Sequence, residues 1–140
     1  MSMNPVIHFE MPAEDRQRMA NFYATVFGWQ TEILGEDMGN YVVATTTESD
    51  QNGPKKPGAI NGGFFQKSAD NANQHPSVVI AVDDVDEQLK QVQAAGGKLL
   101  NEPMDIPGIG RYASFEDTEG NIVSMIKPVP RSGAQTSDQE

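Results

Sequence analysis

Pro5-Val6-Ile7-His8-Phe9-Glu10-Met11-Pro12 opens a pattern that this chain states twice. The apolar run predicts a strand over 5–12, with Pro12 expected to end it because proline cannot donate to a ladder. A helix should follow, starting near Glu14 or Asp15, whose charges suit its positive end. Met19, Phe22, Tyr23, Val26 and Phe27 recur at spacings of three and four, so they are expected on one buried face. Gly28 fits the left-handed position that closes such helices, and Trp29 should wedge the helix onto a sheet. Residues 29–34, 41–47 and 59–65 then read as short strands. The same order returns from Val78-Val79-Ile80-Ala81-Val82, through a helix bearing Val85, Leu89, Val92 and Ala95, to Gly96-Gly97 and strands at 98–100, 110–115 and 122–126. A unit of roughly 60 residues buries little core alone, so two such units are expected to pack together, with a cleft between their sheets.

The bulk numbers narrow the function. At 140 residues the chain is expected to be one domain with a sufficient core. The absence of cysteine excludes disulfides, thiolate nucleophiles and thiolate metal sites. No long apolar run follows a basic N-terminal segment, so neither a signal peptide nor a membrane span is expected, and the location is expected to be cytoplasmic. Twenty acids against ten bases give a net charge of −10, the wrong sign for a phosphate-binding surface, so nucleic acid is not an expected partner. Such acidity serves solubility and equally suits a site for cationic small molecules.

Several segments carry local signals. Residues 48–58 are polar and rich in glycine and proline, which predicts a surface loop with Lys55-Lys56 at its tip. Gly62-Gly63 inside a strand suggest a bulge or a close approach by a ligand or another backbone. Asp84 is a helix N-cap with Glu87 at the reciprocal capping position, which accounts for the acids at 83, 84 and 86 without invoking a metal. Asp117 to Asn121 supplies a tight turn. Residues 129–140 are expected to form a disordered tail.

The chemistry centres on the first strand. His8 and Glu10 are two apart, so both side chains leave one face. Such a pair can ligate a divalent ion, or act as a base with its orienting partner, or form a simple hydrogen bond. A carboxylate beside the imidazole is expected to raise its basicity. His75 precedes Pro76 in the linker and is expected to be exposed. Tyr112 and Ser114 share one strand face, and Arg111, Ala113 and Phe115 the other; only one set can line a cleft. Tyr112 would offer a phenol for hydrogen bonding and Arg111 an anion clamp.

Taken together, His8-Phe9-Glu10, Asn21-Phe22-Tyr23, Phe27-Gly28-Trp29, Ala81-Val82-Asp83-Asp84-Val85, Ala95-Gly96-Gly97 and 115–121 resemble the vicinal oxygen chelate superfamily. That superfamily includes glyoxalase I, bleomycin-resistance proteins, extradiol dioxygenases and methylmalonyl-CoA epimerase. The resemblance covers nearly all of 5–128. It implies an α+β fold of two βαβββ modules, about 5–65 and 77–127, forming a concave cleft within a single domain at 1–128, usually in a homodimer. Metal-using members place ligands on the first and last strands of each module. By that resemblance His8 stands at the first ligand position, Ser77 at the second-module equivalent and Ser124 at the final one. The remaining position falls within 61–65, where there is no carboxylate. Hydroxyls are poor ligands for zinc or nickel.

Two functions follow as expectations. One is a small-molecule binder of the glyoxalase and bleomycin-resistance type without the full metal site and without a cofactor, its cleft lined by Ser77, Ser124 and Tyr112. The alternative is a metal-dependent glyoxalase-like lyase, isomerase or oxygenase with His8 and Glu10 as catalytic pair and His8 as ligand to a divalent metal.

Overall fold

The computed structural model describes residues 3–70 and 74–129. They form two compact units: one comprises residues 8–76, the other 77–129 together with the opening residues through Ile7. The expected tail at 129–140 lies, beyond Val129, outside the described residues. Those opening residues are held in the second unit by the Ala81 amide, which donates to the Pro5 carbonyl at 2.9 Å.

The first unit contains most of β1 (Val6–Ala13), then α1 (Arg16–Phe27), β2 (Gln30–Ile33), β3 (Val42–Thr45), a small hairpin of β4 (Ser49–Asp50) and β5 (Gly53–Pro54), and β6 (Asn61–Gln66). Its sheet order is β2-β3-β6-β1, with β1 parallel to β6 and the other neighbours antiparallel. The second unit contains β7 (Ser77–Ala81), α2 (Val85–Ala94), β8 (Lys98–Leu99), β9 (Met104–Ile106), β10 (Gly110–Glu116) and β11 (Ile122–Pro128). Its order is β8-β10-β11-β7, with β7 parallel to β11, and β9 pairing with β10. Leaving aside the β4–β5 hairpin and β9, both units run strand, helix, three strands, and both lay the last strand beside the first. The fold is α+β, as the family resemblance implied.

Asp84 and Gly28 cap where the sequence placed them, and α1 is capped by Asp15, which the sequence offered only as a charge suited to that end. The Asp15 carboxylate accepts from the Arg18 amide at 3.0 Å, and that of Asp84 accepts from the Glu87 amide at 3.1 Å. Each satisfies a first-turn donor that the helix itself leaves open. Gly28 closes α1 at φ 74°. Pro12 does not end β1, which runs one residue further; on the ladder to β6 it stands beside Phe65. The stretch expected as a loop at 48–58 contains the β4–β5 hairpin, with both lysines exposed beyond it.

Helix α1 is rotated from the expected orientation. Ala20 is buried, and Met19 and Tyr23 pack on the core of Ala13, Val42, Ala44 and Phe64. Phe22, Val26 and Phe27 are more than half exposed, at 54%, 54% and 61%. The expectation that they bury against the sheet is therefore corrected. The cause is Trp29, whose ring stacks on Tyr23 at 4.6 Å and lies 5.6 Å from Phe9. This wedge takes the space on the sheet and turns the helix so that small Ala20 faces inward. In the second unit the pattern holds as written: Val85 and Leu89 are buried and Val92 packs beside them, over Ala113 and Met125. No helix among the described residues is long and apolar enough to cross a membrane.

Candidate functional site

In the first unit, period-two alternation divides β1 between two faces. Phe9, Met11 and Ala13 join the core under α1, which leaves His8, Glu10 and Pro12 on the opposite face. Parallel pairing sets Glu10 beside Gly63, and antiparallel pairing sets Val43 on the other side of the same glycine. Tyr41 lies two residues before Val43 and so points to the same face. A Cβ on Gly63 would collide with the Tyr41 ring and hydroxyl. The ring thus lies across the gap that glycine leaves and carries its hydroxyl over to β1. There the hydroxyl donates to Glu10 Oε2 at 3.2 Å and sits 3.2 Å from His8 Nε2.

The turn before Tyr41 is fixed from the helix. Arg16 Nη1 donates to the carbonyls of Gly39 and Asn40, at 3.0 and 3.1 Å, and Asn40 adopts φ 54°. On the other side of Tyr41, its own carbonyl accepts from the Leu34 amide at 2.8 Å. The phenol is therefore delivered by an anchored turn. Asn61, beside His8 on the ladder, accepts from the Thr46 amide at 2.9 Å and donates to Ser49 at 3.0 Å, tying the small hairpin to the sheet.

The paired glycines thus have a cause outside the alternatives of bulge, backbone or ligand. Gly62 makes room for the Phe9 ring on the helix side, and Gly63 for Tyr41 on the other. Tyr41 is the residue of this candidate site that sequence reasoning missed. Its only signal was an aromatic ring at the start of a strand, two residues before the position that pairs with a glycine.

The expected basicity of His8 is also corrected. Its pKa is lowered, because burial disfavours the charged ring. The Tyr41 hydroxyl links the imidazole to the carboxylate, and the gain expected from direct pairing with Glu10 does not prevail. His75 is exposed, as expected.

In the second unit the faces divide in the same way. Ala113 and Phe115 pack under α2, and Arg111 leaves that side. Its guanidinium donates to both carboxylate oxygens of Asp86, at 2.9 and 3.0 Å, and to Asp105 at 3.1 Å. The Asp86 carboxyl is held below its usual range by this contact. Arg111 is thus a clip between α2 and β9, already occupied by two carboxylates. Tyr112 and Ser114 take the face away from α2, where Ser124 lies between them. The Ser124 hydroxyl is 2.6 Å from that of Tyr112 and 2.9 Å from that of Ser114. At 3% exposure it is a buried polar group whose hydrogen bonds are met by its own strand pair. Ser77 stands on β7, half-buried, two residues before Val79, the ladder partner of Ser124.

The two ladders give the module equivalence directly. Val79, two residues after Ser77, pairs with Ser124; Glu10, two residues after His8, pairs with Gly63. Gly63 therefore occupies the fourth of the positions implied by the family resemblance, and a neighbour's phenol fills its space. Among the described residues no three His, Cys, Asp or Glu side chains converge. The donors at these positions are one imidazole, two serine hydroxyls and a glycine. They do not fit zinc or nickel, which take nitrogen, thiolate or carboxylate ligands in a closed set.

Comparison with known proteins agrees with this architecture. CFP32 of Mycobacterium tuberculosis, named as a glyoxylase, is 40% identical over 70 residues, which cover 50% of this chain and 27% of that protein. The anthracycline biosynthesis protein DnrV of Streptomyces peucetius is 28% identical over 137 residues, covering 92% of this chain and 49% of its own. This chain thus spans half or less of the length of these relatives. A methylmalonyl-CoA epimerase structure, in complex with methylmalonyl-CoA and ammonium, superposes with a TM-score of 0.64 at 19% identity, over 91% of this chain and 96% of that one. At such identity the superposition speaks for the fold alone. The family model of the Glyoxalase/Bleomycin resistance protein/Dioxygenase superfamily matches residues 6–125, and the chain belongs to that superfamily.

Proposed function

We propose that this protein binds a small organic molecule bearing a hydroxyl or ammonium group, without a resident metal or other cofactor. The observation that carries this reading is the His8–Tyr41–Glu10 linkage on the sheet face away from α1. It joins an imidazole, a phenol and a carboxylate, a set that suits hydrogen-bond donors and positive charge. In the second unit Ser77, Ser124 and Tyr112 add hydroxyls on the face away from α2. The net charge of −10 favours a cationic ligand over an anionic one. DnrV's name ties that relative to anthracyclines, which carry hydroxyl and amine groups, so an anthracycline is the first probe. Titration followed by quenching of Trp29 should saturate at one ligand per chain and weaken in His8→Ala. No binding to wild type would end this reading for that class.

The protein belongs, in this reading, to the cytoplasm and works as a homodimer. The exposed apolar residues of α1 support pairing. Sedimentation at micromolar concentration should give twice the chain mass.

A second reading is a glyoxalase-like lyase or isomerase in which His8 and Glu10 move a proton. The phenol-bridged pair favours it, since an oriented base needs such a partner. Turnover of an α-hydroxy or α-keto thioester, lost in Glu10→Gln, would put it first.

A further inference from the structure

We propose that Tyr41 is a positioning residue that fixes which nitrogen of His8 carries the proton, making Nδ1 the acceptor that meets the ligand. This deepens the binding reading above and rests on it. A phenol has one proton. An ionised carboxylate only accepts, so the Tyr41 hydroxyl gives its proton to Glu10 Oε2 at 3.2 Å. Its oxygen then serves His8 as an acceptor at 3.2 Å, and Nε2 must be the nitrogen that bears hydrogen. In an uncharged imidazole the other nitrogen is then a lone pair. With Nε2 engaged by Tyr41, Nδ1 is the ring atom left to take a donor on the ligand.

Three features hold the arrangement. The Glu10 carboxylate orders the phenol proton, Arg16 anchors the turn that presents Tyr41, and Gly63 leaves the ring its seat. The specificity that follows is for hydroxyl, ammonium or amide donors at Nδ1. A carboxylate or ether placed there would face a lone pair with a lone pair.

The test is the nitrogen spectrum of the full chain, ligand-free and labelled at histidine. The chain has two histidines, so His75→Gln assigns His8. Wild type at neutral pH should show Nε2 as the protonated, pyrrole-type nitrogen and Nδ1 as the pyridine-type one. Tyr41→Phe, which keeps the ring and removes only the hydroxyl, should lose that preference and give a tautomer mixture. Gly63→Ala should do the same with all three polar side chains still present, which covers the case in which Tyr41→Phe folds poorly. A protonated Nδ1 in wild type would overturn the proposal, as would an unchanged preference in both variants. Because the spectrum is recorded without ligand, failure here is distinct from failure of an anthracycline to bind.

Discussion

The Tyr41 ring occupies the space that a side chain on Gly63 would need, and through that overlap a residue of one strand edge reaches His8 and Glu10 two strands away. The glycine and the tyrosine are therefore one device. Gly63→Ala should destabilise the fold by about 1–3 kcal/mol, the usual cost of overpacking. In a Tyr41→Ala background the same substitution should cost well under that, because the obstruction is gone. A double-mutant cycle by urea unfolding reads the coupling, and equal costs in both backgrounds would show the two residues to be independent.

The rotation of α1 separates neighbours in the sequence. Tyr23 packs between Trp29 and Phe64, at ring distances of 4.6 and 5.6 Å, so Tyr23→Ala should cost about 3–5 kcal/mol. Phe22, 54% exposed, should cost less than about 1 kcal/mol on truncation in the monomer. Thermal unfolding of the two variants at low concentration distinguishes this orientation from one with Phe22 inward.

Burial of His8 makes stability depend on pH in a definite direction. The folded protein binds its proton less readily than the unfolded chain, so stability is complete above the ordinary imidazole range near pH 6.5. It should fall as the pH drops below that range, down to the lowered folded-state pKa. Unfolding free energies measured between pH 8 and 5 should show this loss, and His8→Gln should reduce it. A wild type more stable at pH 5 than at pH 7 would reverse the sign and restore direct pairing with Glu10.

Zinc or nickel should not bind stoichiometrically at micromolar concentration, since hydroxyls and glycine stand where strong ligands are needed. Calorimetric titration checks this. Tight one-to-one binding abolished in His8→Ala would move the metal-dependent reading ahead.

Ser124→Ala should cost about 1–3 kcal/mol, because it removes two hydrogen bonds, to Tyr112 and to Ser114, at a buried position. Chemical denaturation is sufficient to measure it. A neutral effect would mean that the two neighbours satisfy each other or solvent.

The duplicated pattern made the fold legible, because helix spacing, caps and strand alternation are local signals. Asp15, Gly28 and Asp84 were readable for that reason. The side of α1 that faces inward was not, since Phe22 and Tyr23 look alike in a spacing pattern and only the seat taken by Trp29 separates them. Likewise His8 and Glu10 were readable as a same-face pair, whereas Tyr41 reaches them through a ladder register that no local pattern records. Arg111 and Tyr112 are adjacent and both carry binding chemistry; that Arg111 is taken up by Asp86 and Asp105, on other elements, was not legible from spacing.

The hydrogen bond from Ala81 to Pro5 bears on how the molecule is made. Pro5 leaves the ribosome dozens of residues before Ala81, so the early segment through Ile7 has no partner while the helix and strands that follow it are already assembling. The second unit gains this contact only by retrieving a segment made before the whole of the first unit. Synthesis order and folding order are thereby uncoupled, and removing the segment through Ile7 should harm the unit at 77–129 more than the one at 8–76.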